Sequence, residues 1–511
     1  MDSKKARICV PVCERSIAQT QMAVDRAASV GDFIELRLDC LAPSELDGNL
    51  DSIERLLASG GHFVITFRPT EQGGLRELDV SSRVRFWLLN SHSKAEFLDL
   101  ELDLCTNPAL FNWSELPDWK RVICSHHDFV RVPHDLQDIY QQMTATPAHV
   151  LKIAVRADDV VDCLPLFSLL ERARSEGREM IAIAMGNAGL LTRILGPTRG
   201  AFLTYGALDG LHATAPGQVT ARELRQTYRL DTLNRETNVT GLVGLPVSHS
   251  VSPHMHNAAF ATTGFDGVYV PLEVHDLGAF FRRMVNLRTR ELDWNLRGLS
   301  ITSPYKRAVM SYLDSIEPVA AEIGAVNTVL IDSGGLRGFN FDADALAHSL
   351  AERLGELRAL SCAVIGTGGM AHAAVYALTK QEAKVTVYAR DVVKARALAK
   401  KFDSAWARLE SADFGNFDVV INGTPLGTTG PLQEVTPATA AQLDGARLAY
   451  DLVYNPCETR FIREAEAAGC QTLGGLSMLI YQACAQFLLW TGREPPVVAM
   501  QAAALDALRM E

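Results

Sequence analysis

The chain has 511 residues, of which 48% are hydrophobic, and a formal net charge of −11. The length is sufficient for three domains with full cores. The negative charge and the lack of a Lys/Arg block argue against nucleic acids or anionic membranes as partners. Ten scattered cysteines without a CxxC pair, and an N-terminus that enters a strand without an apolar signal region, favour a cytoplasmic location.

The first 210 residues contain about eight strand-like segments, most of them separated by helix-like stretches. Polar residues stand in phase on several of these strands. Glu35, Arg37 and Asp39 share one face of the second strand, and Ser125 and His127 share one face of the fifth. This repeated alternation predicts an α/β fold that begins with a parallel (β/α)8 TIM barrel, in which polar residues at the strand C-termini face one active site.

Lys152 is a lone charge in the apolar strand 149–155. Because side chains alternate on a strand, Lys152 lies on the opposite face from Leu151 and Ile153. A lysine held there loses hydration, which favours a neutral amine that can attack a carbonyl group. For this segment alone, a lysine at a strand end with its ammonium in water is the alternative. The polar residues of the other strands favour the nucleophile.

Six motifs in the first half resemble those of type I 3-dehydroquinate dehydratases, in the same order. They are Glu35-Leu-Arg-Leu-Asp39, Thr66-Phe-Arg68 with Gly73-Gly74, Ser125-His-His-Asp-Phe129, Leu151-Lys-Ile-Ala154, Met185 to Arg193, and Thr214-Ala-Pro-Gly-Gln218. The resemblance assigns residues 1–225 to a dehydratase barrel. It implies that Lys152 forms an iminium with 3-dehydroquinate and that His127, not His126, moves the proton. Arg193 would bind the substrate carboxylate, and the ring hydroxyls and closing loop would be held by Glu35, Arg37, Arg68, Thr214 and Gln218.

One position departs from this family in a way that concerns the catalytic histidine. Where the family has a glutamate that orients this histidine, the chain has Gln72. A glutamine can accept a hydrogen bond from imidazole but has no charge to stabilise imidazolium. We therefore expect His127 to have a lowered pKa.

Residues 222–240 are polar and predict the last barrel helix followed by a short linker. Beyond the linker, the clearest element is an apolar strand that enters the turn Gly366-Thr-Gly-Gly-Met370 and then a helix. Gly366 permits the tight turn, and Gly368 lets the backbone approach a pyrophosphate at the helix N-terminus. The motif is weak evidence alone, but its position between a strand and a helix favours a Rossmann dinucleotide-binding domain.

Basic residues follow the next strand, 384–388, of this predicted domain. Arg390 and Lys394 occupy the region where NAD-binding proteins usually have a carboxylate for the ribose hydroxyls. An arginine accommodates a 2′-phosphate, so the cofactor is predicted to be NADP. Asp391 is the opposing signal.

Seven motifs of the second half resemble those of shikimate dehydrogenases. They are Ser250-Val-Ser-Pro253, Ile301 to Lys306, Ile323 to Thr328, Asn340-Phe-Asp342, Ile421 to Gly427, Asp451 to Pro456, and Gly475 to Gln482. The resemblance implies a substrate-binding and catalytic domain over 239–345 and a Rossmann NADP domain over 346–475. A helical segment over 476–511 would return to the substrate domain.

This second resemblance also implies functional residues. Lys306 and Asp342 would form the catalytic pair. The substrate would be bound by Ser250, Ser252, Thr302, Asn327, Tyr454 and Gln482. The cofactor would be bound by Gly366, Thr367, Gly368, Gly369, Met370, Arg390, Lys394, Leu452 and Gly475. The family has an amide where this chain has Ser300 and a threonine where it has Phe341, which leaves the preference between shikimate and quinate open.

The predicted function is that of a bifunctional enzyme of aromatic biosynthesis. It would dehydrate 3-dehydroquinate to 3-dehydroshikimate and reduce the product to shikimate with NADPH. No metal is predicted, because the pair His254 and His256 has no third ligand nearby. One alternative is a dehydrogenase acting mainly on quinate. Another is a non-catalytic quinate-pathway sensor or repressor, which would predict loss of the nucleophile and base that this chain retains. The oligomeric state is not predicted.

Overall fold

The structure of the protein is a computed structural model that describes residues 5–48, 50–58, 60–90, 94–107, 118–210, 212, 214–215 and 217–510. By its internal contacts the chain forms two compact units. Unit 1 consists of Met1–Thr237 and Pro271–Asn295, and unit 2 consists of Asn238–Val270 and Leu296–Glu511. The chain therefore passes between the units three times, whereas the sequence analysis placed one linker at 222–240. The residue ranges of the four predicted domains stay a prediction.

Eight parallel strands form the sheet of unit 1. They are β1 (Ile8–Val12), β2 (Phe33–Arg37), β3 (His62–Thr66), β4 (Phe97–Glu101), β5 (Val122–Asp128), β6 (Val150–Arg156), β7 (Glu179–Met185) and β8 (Thr204–Tyr205). Their order is β7-β6-β5-β4-β3-β2-β1-β8, and a bridge between Met180 and Ala201 nearly closes the sheet. The predicted eight-stranded barrel is confirmed.

Two six-stranded sheets form unit 2. The first contains β9 (Asn238–Gly244), β10 (Gly267–Glu273), β11 (Leu296–Ile301), β12 (Ser315–Ile316), β13 (Thr328–Asp332) and β14 (Gly335–Phe339). The second contains β15 (Ser361–Ile365), β16 (Lys384–Ala389), β17 (Ala405–Arg408), β18 (Val419–Asn422), β19 (Leu448–Asp451) and β20 (Gln471–Leu473). The first sheet is mixed, in the order β10-β9-β11-β13-β14-β12. The second is parallel, in the order β17-β16-β15-β18-β19-β20, which is the Rossmann order and confirms that prediction.

The α-helices connect these strands along most of the described chain. They are α1 (Ile17–Ala27), α2 (Pro43–Gly48), α3 (Leu50–Ala58), α4 (Val80–Asn90), α5 (Leu102–Cys105), α6 (Leu136–Thr144), α7 (Leu164–Ser175), α8 (Leu190–Leu195), α9 (Ala221–Gln226), α10 (Ser252–Thr263), α11 (Leu277–Phe280), α12 (Pro318–Ile323), α13 (Asp342–Leu354), α14 (Gly369–Lys380), α15 (Val392–Lys401), α16 (Ala440–Leu443), α17 (Arg460–Ala467), α18 (Leu476–Thr491) and α19 (Val497–Met510). In the part of the chain that the structure describes, no helix is both long and apolar enough to cross a membrane.

Within unit 1, the segment Pro271–Asn295 is held by Asp159, which follows β6. One carboxylate oxygen of Asp159 accepts hydrogen bonds from the backbone N–H groups of His275 and Asp276, both at 2.8 Å. The other oxygen caps the short helix that begins at Val160. A single buried carboxylate thus fixes two parts of unit 1 that are more than a hundred residues apart in the sequence.

Helix α18 packs on the first sheet of unit 2 because one strand position has no side chain. The indole of Trp490 occupies the space beside Gly298 on β11, where an added Cβ would lie 2.1 Å from Nε1. The same indole nitrogen donates a hydrogen bond to the carbonyl of Val329 at 3.1 Å. Helix α18 is therefore fixed against both β11 and β13.

One disulfide joins Cys13, after β1, to Cys40, which follows β2. The other eight cysteines are free. Sequence spacing carried no signal for this pair, since its members are separated by 27 residues and meet only through the parallel pairing of β1 with β2.

Candidate active sites

The side chain of Lys152 lies inside the barrel and is 5% exposed. Its Nζ donates hydrogen bonds to Asp99 at 2.8 Å, to Glu35 at 3.1 Å and to the hydroxyl of Tyr205 at 2.8 Å. These partners come from β4, β2 and β8. The strand that contains Lys152 is otherwise apolar, but the Lys152 side chain itself meets polar groups of three other strands. Its charge is paired with two carboxylates that a single strand cannot reveal.

Two neighbouring carboxylates on β4 have different electrostatic environments. Asp99 lies 2.8 Å from Arg68 as well as from Lys152. Burial would raise the pKa of Asp99, but these two cations lower it to about 2. For Glu101, two residues further on, burial dominates and raises the pKa to about 7, although Arg83 lies 3.2 Å away. Both carboxylates lie on the same face of β4, and sequence analysis assigned neither of them a role.

His127 is a buried imidazole beside a guanidinium. Nη1 of Arg68 contacts both ring nitrogens, with 2.9 Å to Nε2. Burial, followed by the charges of Arg68 and Lys152, lowers the pKa of His127 well below its usual value. The direction agrees with the prediction, but the cause is burial and the neighbouring cations and not Gln72. Among the described residues Gln72 forms no hydrogen bond with His127, and its Oε1 is buried without a hydrogen-bond partner.

Arg193 on α8 is a buried cation, only 1% exposed. Its hydrogen bond goes to the backbone carbonyl of Tyr205, at 3.2 Å, and its Nε is buried without a hydrogen-bond partner. Within the described residues no carboxylate forms an ion pair with it, and burial lowers its pKa to about 10. A buried guanidinium of this kind suits an anionic ligand.

A single cavity brings the predicted dehydratase residues together. It is lined by Glu35, Arg37, Arg68, His127, Lys152, Arg193, Thr214 and Gln218, and also by Gly73, Phe129, Ala154, Ile183, Met185, Tyr205 and Ala215. Arg37 is oriented by two hydrogen bonds from its guanidinium to Asp39, at 2.9 and 2.8 Å. All eight predicted side chains thus face one space, and Tyr205 is an addition that sequence analysis missed.

The closing loops of this cavity meet at two glycines. Gly217 has a φ of +65°, and a Cβ there would lie 2.2 Å from the carbonyl carbon of Gly186. The side-chain oxygen of Gln218 accepts hydrogen bonds from the backbone N–H and the hydroxyl of Thr214, at 3.0 and 3.3 Å. Pro216, part of the same motif, lies outside the described residues.

In unit 2, Lys306 and Asp342 form a close ion pair of 2.6 Å. Asp342 is the first residue of α13. Its second oxygen accepts a hydrogen bond from the amide of Asn327 at 2.9 Å, and its backbone N–H donates to Asn340 at 3.0 Å. Nζ of Lys306 also lies 2.9 Å from the sulfur of Met370, in the glycine-rich turn. The pair is therefore contacted both by Asn327, beside the first sheet of unit 2, and by Met370 in the glycine-rich turn that follows β15.

The other predicted substrate residues of unit 2 fall into small groups. The hydroxyl of Tyr454 donates to Ser250 at 3.3 Å, and the backbone N–H of Ser252 donates to the same oxygen at 3.2 Å. Asn327 lies 3.4 Å from Gln482. No hydrogen bond in the described part of the chain joins the side chain of Thr302 to these groups.

Ser300 is not an open position in the pocket. Its hydroxyl donates to Oε1 of Gln486 on α18 at 2.9 Å, and the amide nitrogen of Gln486 donates to Thr328 at 2.9 Å. Sequence analysis missed Gln486, because only the packing of α18 on β11 and β13 brings it there.

The turn after β15 has the shape that a dinucleotide requires. Gly366 has a φ of +122°, and its N–H donates to the carbonyl of Tyr388 at 2.8 Å. No atom lies within 4 Å of a Cβ added at Gly368, so the backbone there is open to a ligand at the start of α14. At the end of β19, Gly475 packs against Leu452, whose carbonyl oxygen would be 2.6 Å from an added Cβ.

The structure shows what the carboxylate of Asp391, the residue that argued against NADP, does after β16. The carboxylate of Asp391 accepts hydrogen bonds from the backbone N–H groups of Val393 and Lys394, both at 3.1 Å, and so caps α15. It is therefore engaged by the helix. Arg390 is exposed. In the parallel pairing of β16 with β17, Arg408 lies opposite Ala389, the residue before Arg390. Arg408 is therefore a second cation at this end of the sheet, and sequence analysis missed it.

His256 is a packed side chain. Its ring is fully buried and stacks on Tyr269 with 4.3 Å between the ring centroids, and burial lowers its pKa to about 3. Among the described residues, no group of three or more His, Cys, Asp or Glu side chains is placed to hold a metal ion.

These two sites fit one class of protein: a lyase built on a barrel, joined to a nucleotide-dependent dehydrogenase. Four family models match the chain. They are type I 3-dehydroquinase over 8–235, the shikimate dehydrogenase substrate binding domain over 242–329, shikimate/quinate 5-dehydrogenase over 346–437, and the shikimate 5′-dehydrogenase C-terminal domain over 475–505.

Related proteins support the same class. A chloroplastic bifunctional 3-dehydroquinate dehydratase/shikimate dehydrogenase of Arabidopsis thaliana is 32% identical over 96% of this chain and 82% of its own length. A shikimate dehydrogenase (NADP(+)) of Carboxydothermus hydrogenoformans is 36% identical over 53% of this chain and 98% of its own. A crystal structure of a shikimate dehydrogenase in complex with NADP+ has a TM-score of 0.50 at 35% identity, over 54% of this chain and 97% of that one.

The chain belongs to the family of bifunctional 3-dehydroquinate dehydratase/shikimate dehydrogenases. The predicted fusion of a lyase with an oxidoreductase is confirmed. The full-length relative gives no support to a sensor or to a dehydrogenase acting mainly on quinate.

Proposed function

We propose that Lys152 carries the dehydration of 3-dehydroquinate to 3-dehydroshikimate, and that Lys306 and Asp342 carry the reduction of 3-dehydroshikimate to shikimate. The single observation that supports the first assignment best is the cavity itself, which is lined by an amine, by an imidazole whose pKa is lowered and by a guanidinium that has no ion-pair partner among the described residues. An amine, a base and an anion site are what a carboxylated ketone requires.

The dehydration follows from the groups of this cavity. The neutral amine of Lys152 adds to the ketone, and loss of water leaves an iminium. His127 removes a proton from the adjacent carbon, and the electron pair moves toward the iminium nitrogen. The β-hydroxyl leaves as water with the proton from His127, and hydrolysis of the product iminium restores Lys152.

Arg193 orients the substrate in this proposal. Its planar guanidinium can bind both oxygens of the substrate carboxylate, and the buried site strengthens the pair. Arg37 is fixed by Asp39 and would hold ring hydroxyls together with Gln218.

The reduction depends on the ion pair of unit 2. When bound, NADPH supplies the hydride, and the open backbone at Gly368 and the cations Arg390, Lys394 and Arg408 fit its pyrophosphate and 2′-phosphate. Lys306 donates a proton to the oxygen that becomes the hydroxyl. Asp342 orients Lys306 and accepts a hydrogen bond from the substrate hydroxyl.

The partners in this proposal are the small-molecule substrates and NADP, and the location is the cytoplasm. Eight of the ten cysteines are free, which suits a reducing compartment, whereas the Cys13–Cys40 disulfide is typical of an oxidising one. The word chloroplastic belongs to the name of the Arabidopsis relative.

We expect dehydratase kcat/KM to keep its maximal value at pH 6.5 and to fall only at more acidic pH. Burial and nearby cations lower the pKa of His127, so the imidazole stays neutral, as a base must, below its ordinary pKa of about 6.5. A pH profile of 3-dehydroshikimate formation measures this limb. His126→Asn is the matched control, because that ring points away from the cavity. An acid limb centred at or above pH 6.5 would contradict the role of His127.

Arg390→Ala should raise the KM for NADPH on the order of tenfold or more and change the KM for NADH much less, since only NADPH carries the 2′-phosphate. Initial rates with both cofactors measure the ratio. Arg396→Ala removes an exposed cation from α15, the helix that follows Arg390, and is the control. Equal use of both cofactors by the unmodified protein would show that the basic end of β16 does not select NADP.

A further inference from the structure

Tyr205, which belongs to none of the family motifs, has its phenol hydroxyl in contact with Nζ of Lys152, the reacting atom of the dehydratase. The hydroxyl oxygen of Tyr205 lies 2.8 Å from Nζ of Lys152 and 3.4 Å from Oε1 of Glu35. We propose that Tyr205 is a catalytic residue that passes a proton from the Lys152 ammonium to Glu35 before the amine attacks. This inference rests on the proposed Schiff-base function of Lys152.

The surroundings of Tyr205 hold its oxygen in place. The ring is 6% exposed, and Nζ of Lys152 lies 4.4 Å from its centroid. The backbone carbonyl of Tyr205 accepts a hydrogen bond from Arg193, so the strand position is also fixed. One hydroxyl can therefore accept a hydrogen bond from Lys152 and donate its own hydrogen toward Glu35.

An ammonium cannot attack a carbonyl, because it has no lone pair, so Lys152 must first lose a proton. Within the described part of the chain its Nζ donates hydrogen bonds to Asp99, Glu35 and Tyr205. Asp99 is a poor acceptor, since Arg68 and Lys152 lower its pKa to about 2. Among the described residues Glu35 forms an ion pair with Lys152 alone, so Glu35 is the better destination for the proton. Glu35 also accepts a direct hydrogen bond from Lys152 at 3.1 Å, so a direct transfer and the relay through Tyr205 end at the same carboxylate, and removal of the Tyr205 hydroxyl distinguishes them.

The transfer balances without a further reactant. An N–H bond of Lys152 breaks as an O–H bond forms at the Tyr205 oxygen, and the original phenol proton moves to Oε1 of Glu35. The products are a neutral amine, a neutral phenol and a protonated carboxyl. Burial and the charge of Glu35 raise the pKa of Tyr205 well above its usual value, so Tyr205 passes a proton rather than holding a negative charge.

The test compares two tyrosine-to-phenylalanine variants of the full chain. Tyr205→Phe should slow pre-steady-state formation of the borohydride-trapped adduct by on the order of 10–100-fold and lower kcat more than it changes KM. Tyr140→Phe also removes a hydroxyl from a buried ring of unit 1, one bonded to Glu176 at 2.7 Å, and should leave the rate unchanged. Equal adduct rates in Tyr205→Phe and the unmodified protein would overturn the relay.

A second measurement needs only the unmodified protein. The rate of adduct formation in mixtures of H2O and D2O should depend on the deuterium fraction with curvature, because two protons move in one step. A linear dependence would overturn the relay, and curvature supports it even where Tyr205→Phe does not fold. Absence of any adduct on Lys152 in the unmodified protein would instead overturn the Schiff-base function, and the relay with it.

Discussion

Replacing Lys152 by alanine should reduce dehydratase turnover by roughly 10⁴-fold or more, because no other primary amine lines the cavity among the described residues. Reduction of 3-dehydroshikimate by the same chain should keep its rate, since Lys306 and Asp342 are untouched. Separate assays of the two reactions measure this difference. In the unmodified protein, borohydride with substrate should leave one adduct, on the peptide that contains Lys152.

The charge of Lys152 needs its own control. Removing a cation from between Glu35 and Asp99 leaves buried charge less compensated and costs about 3–5 kcal/mol of unfolding free energy. Lys152→Arg keeps a positive charge near both carboxylates but supplies no nucleophile. Both variants should lack the adduct. Dehydratase activity in Lys152→Arg would show that the residue acts through its charge and not as a nucleophile.

Replacing Lys306 by alanine should lower the turnover of the dehydrogenase by about 10²–10⁴-fold, with a smaller change in KM. Hydride transfer to a ketone builds negative charge on its oxygen, and Lys306 supplies the proton and the positive charge at that point. Nζ of Lys306 lies 2.6 Å from a carboxylate oxygen of Asp342, which orients it. The turnover of the double variant Lys306→Ala with Asp342→Asn should therefore fall by much less than the product of the two single decreases.

A complete double-mutant cycle measures this coupling. Lys380 and Glu322 form a 2.8 Å pair in the same unit, but both are about half exposed. The cycle Lys380→Ala with Glu322→Gln should leave turnover unchanged and is the control. Strictly multiplicative losses at Lys306 and Asp342 would mean that the two groups act independently.

The surroundings of Lys152 show where prediction from sequence reached its limit. Alternation along one strand predicted correctly that Lys152 faces away from Leu151. It could not show that Asp99 from β4 and Tyr205 from β8 would meet the amine, because each strand carries its own alternation and only barrel closure relates their phases. The lone lysine of one strand became the centre of a buried polar network.

In unit 2 the sequence predicted the fold but not the side-chain hydrogen bonds. The glycines of the turn after β15 predicted a Rossmann fold, because few residues can adopt the φ of Gly366. The role of Asp391 could not be predicted, since the same carboxylate suits a ribose or a helix N-terminus, and the backbone of α15 decides between them. The partner of Ser300 could not be predicted either, because only the packing of α18 brings Gln486 to its hydroxyl.

By itself, the sequence determined the order of strands and helices, the two fold classes and the identity of the groups able to do chemistry. These depend on local periodicity, on turns and on residue types, all of which are present in short segments. Only the tertiary structure decided which charges are paired, which hydroxyls touch the nucleophile and that Cys13 meets Cys40. Those contacts join residues from different strands and helices, so their geometry exists only once the sheets have formed and the helices have packed on them.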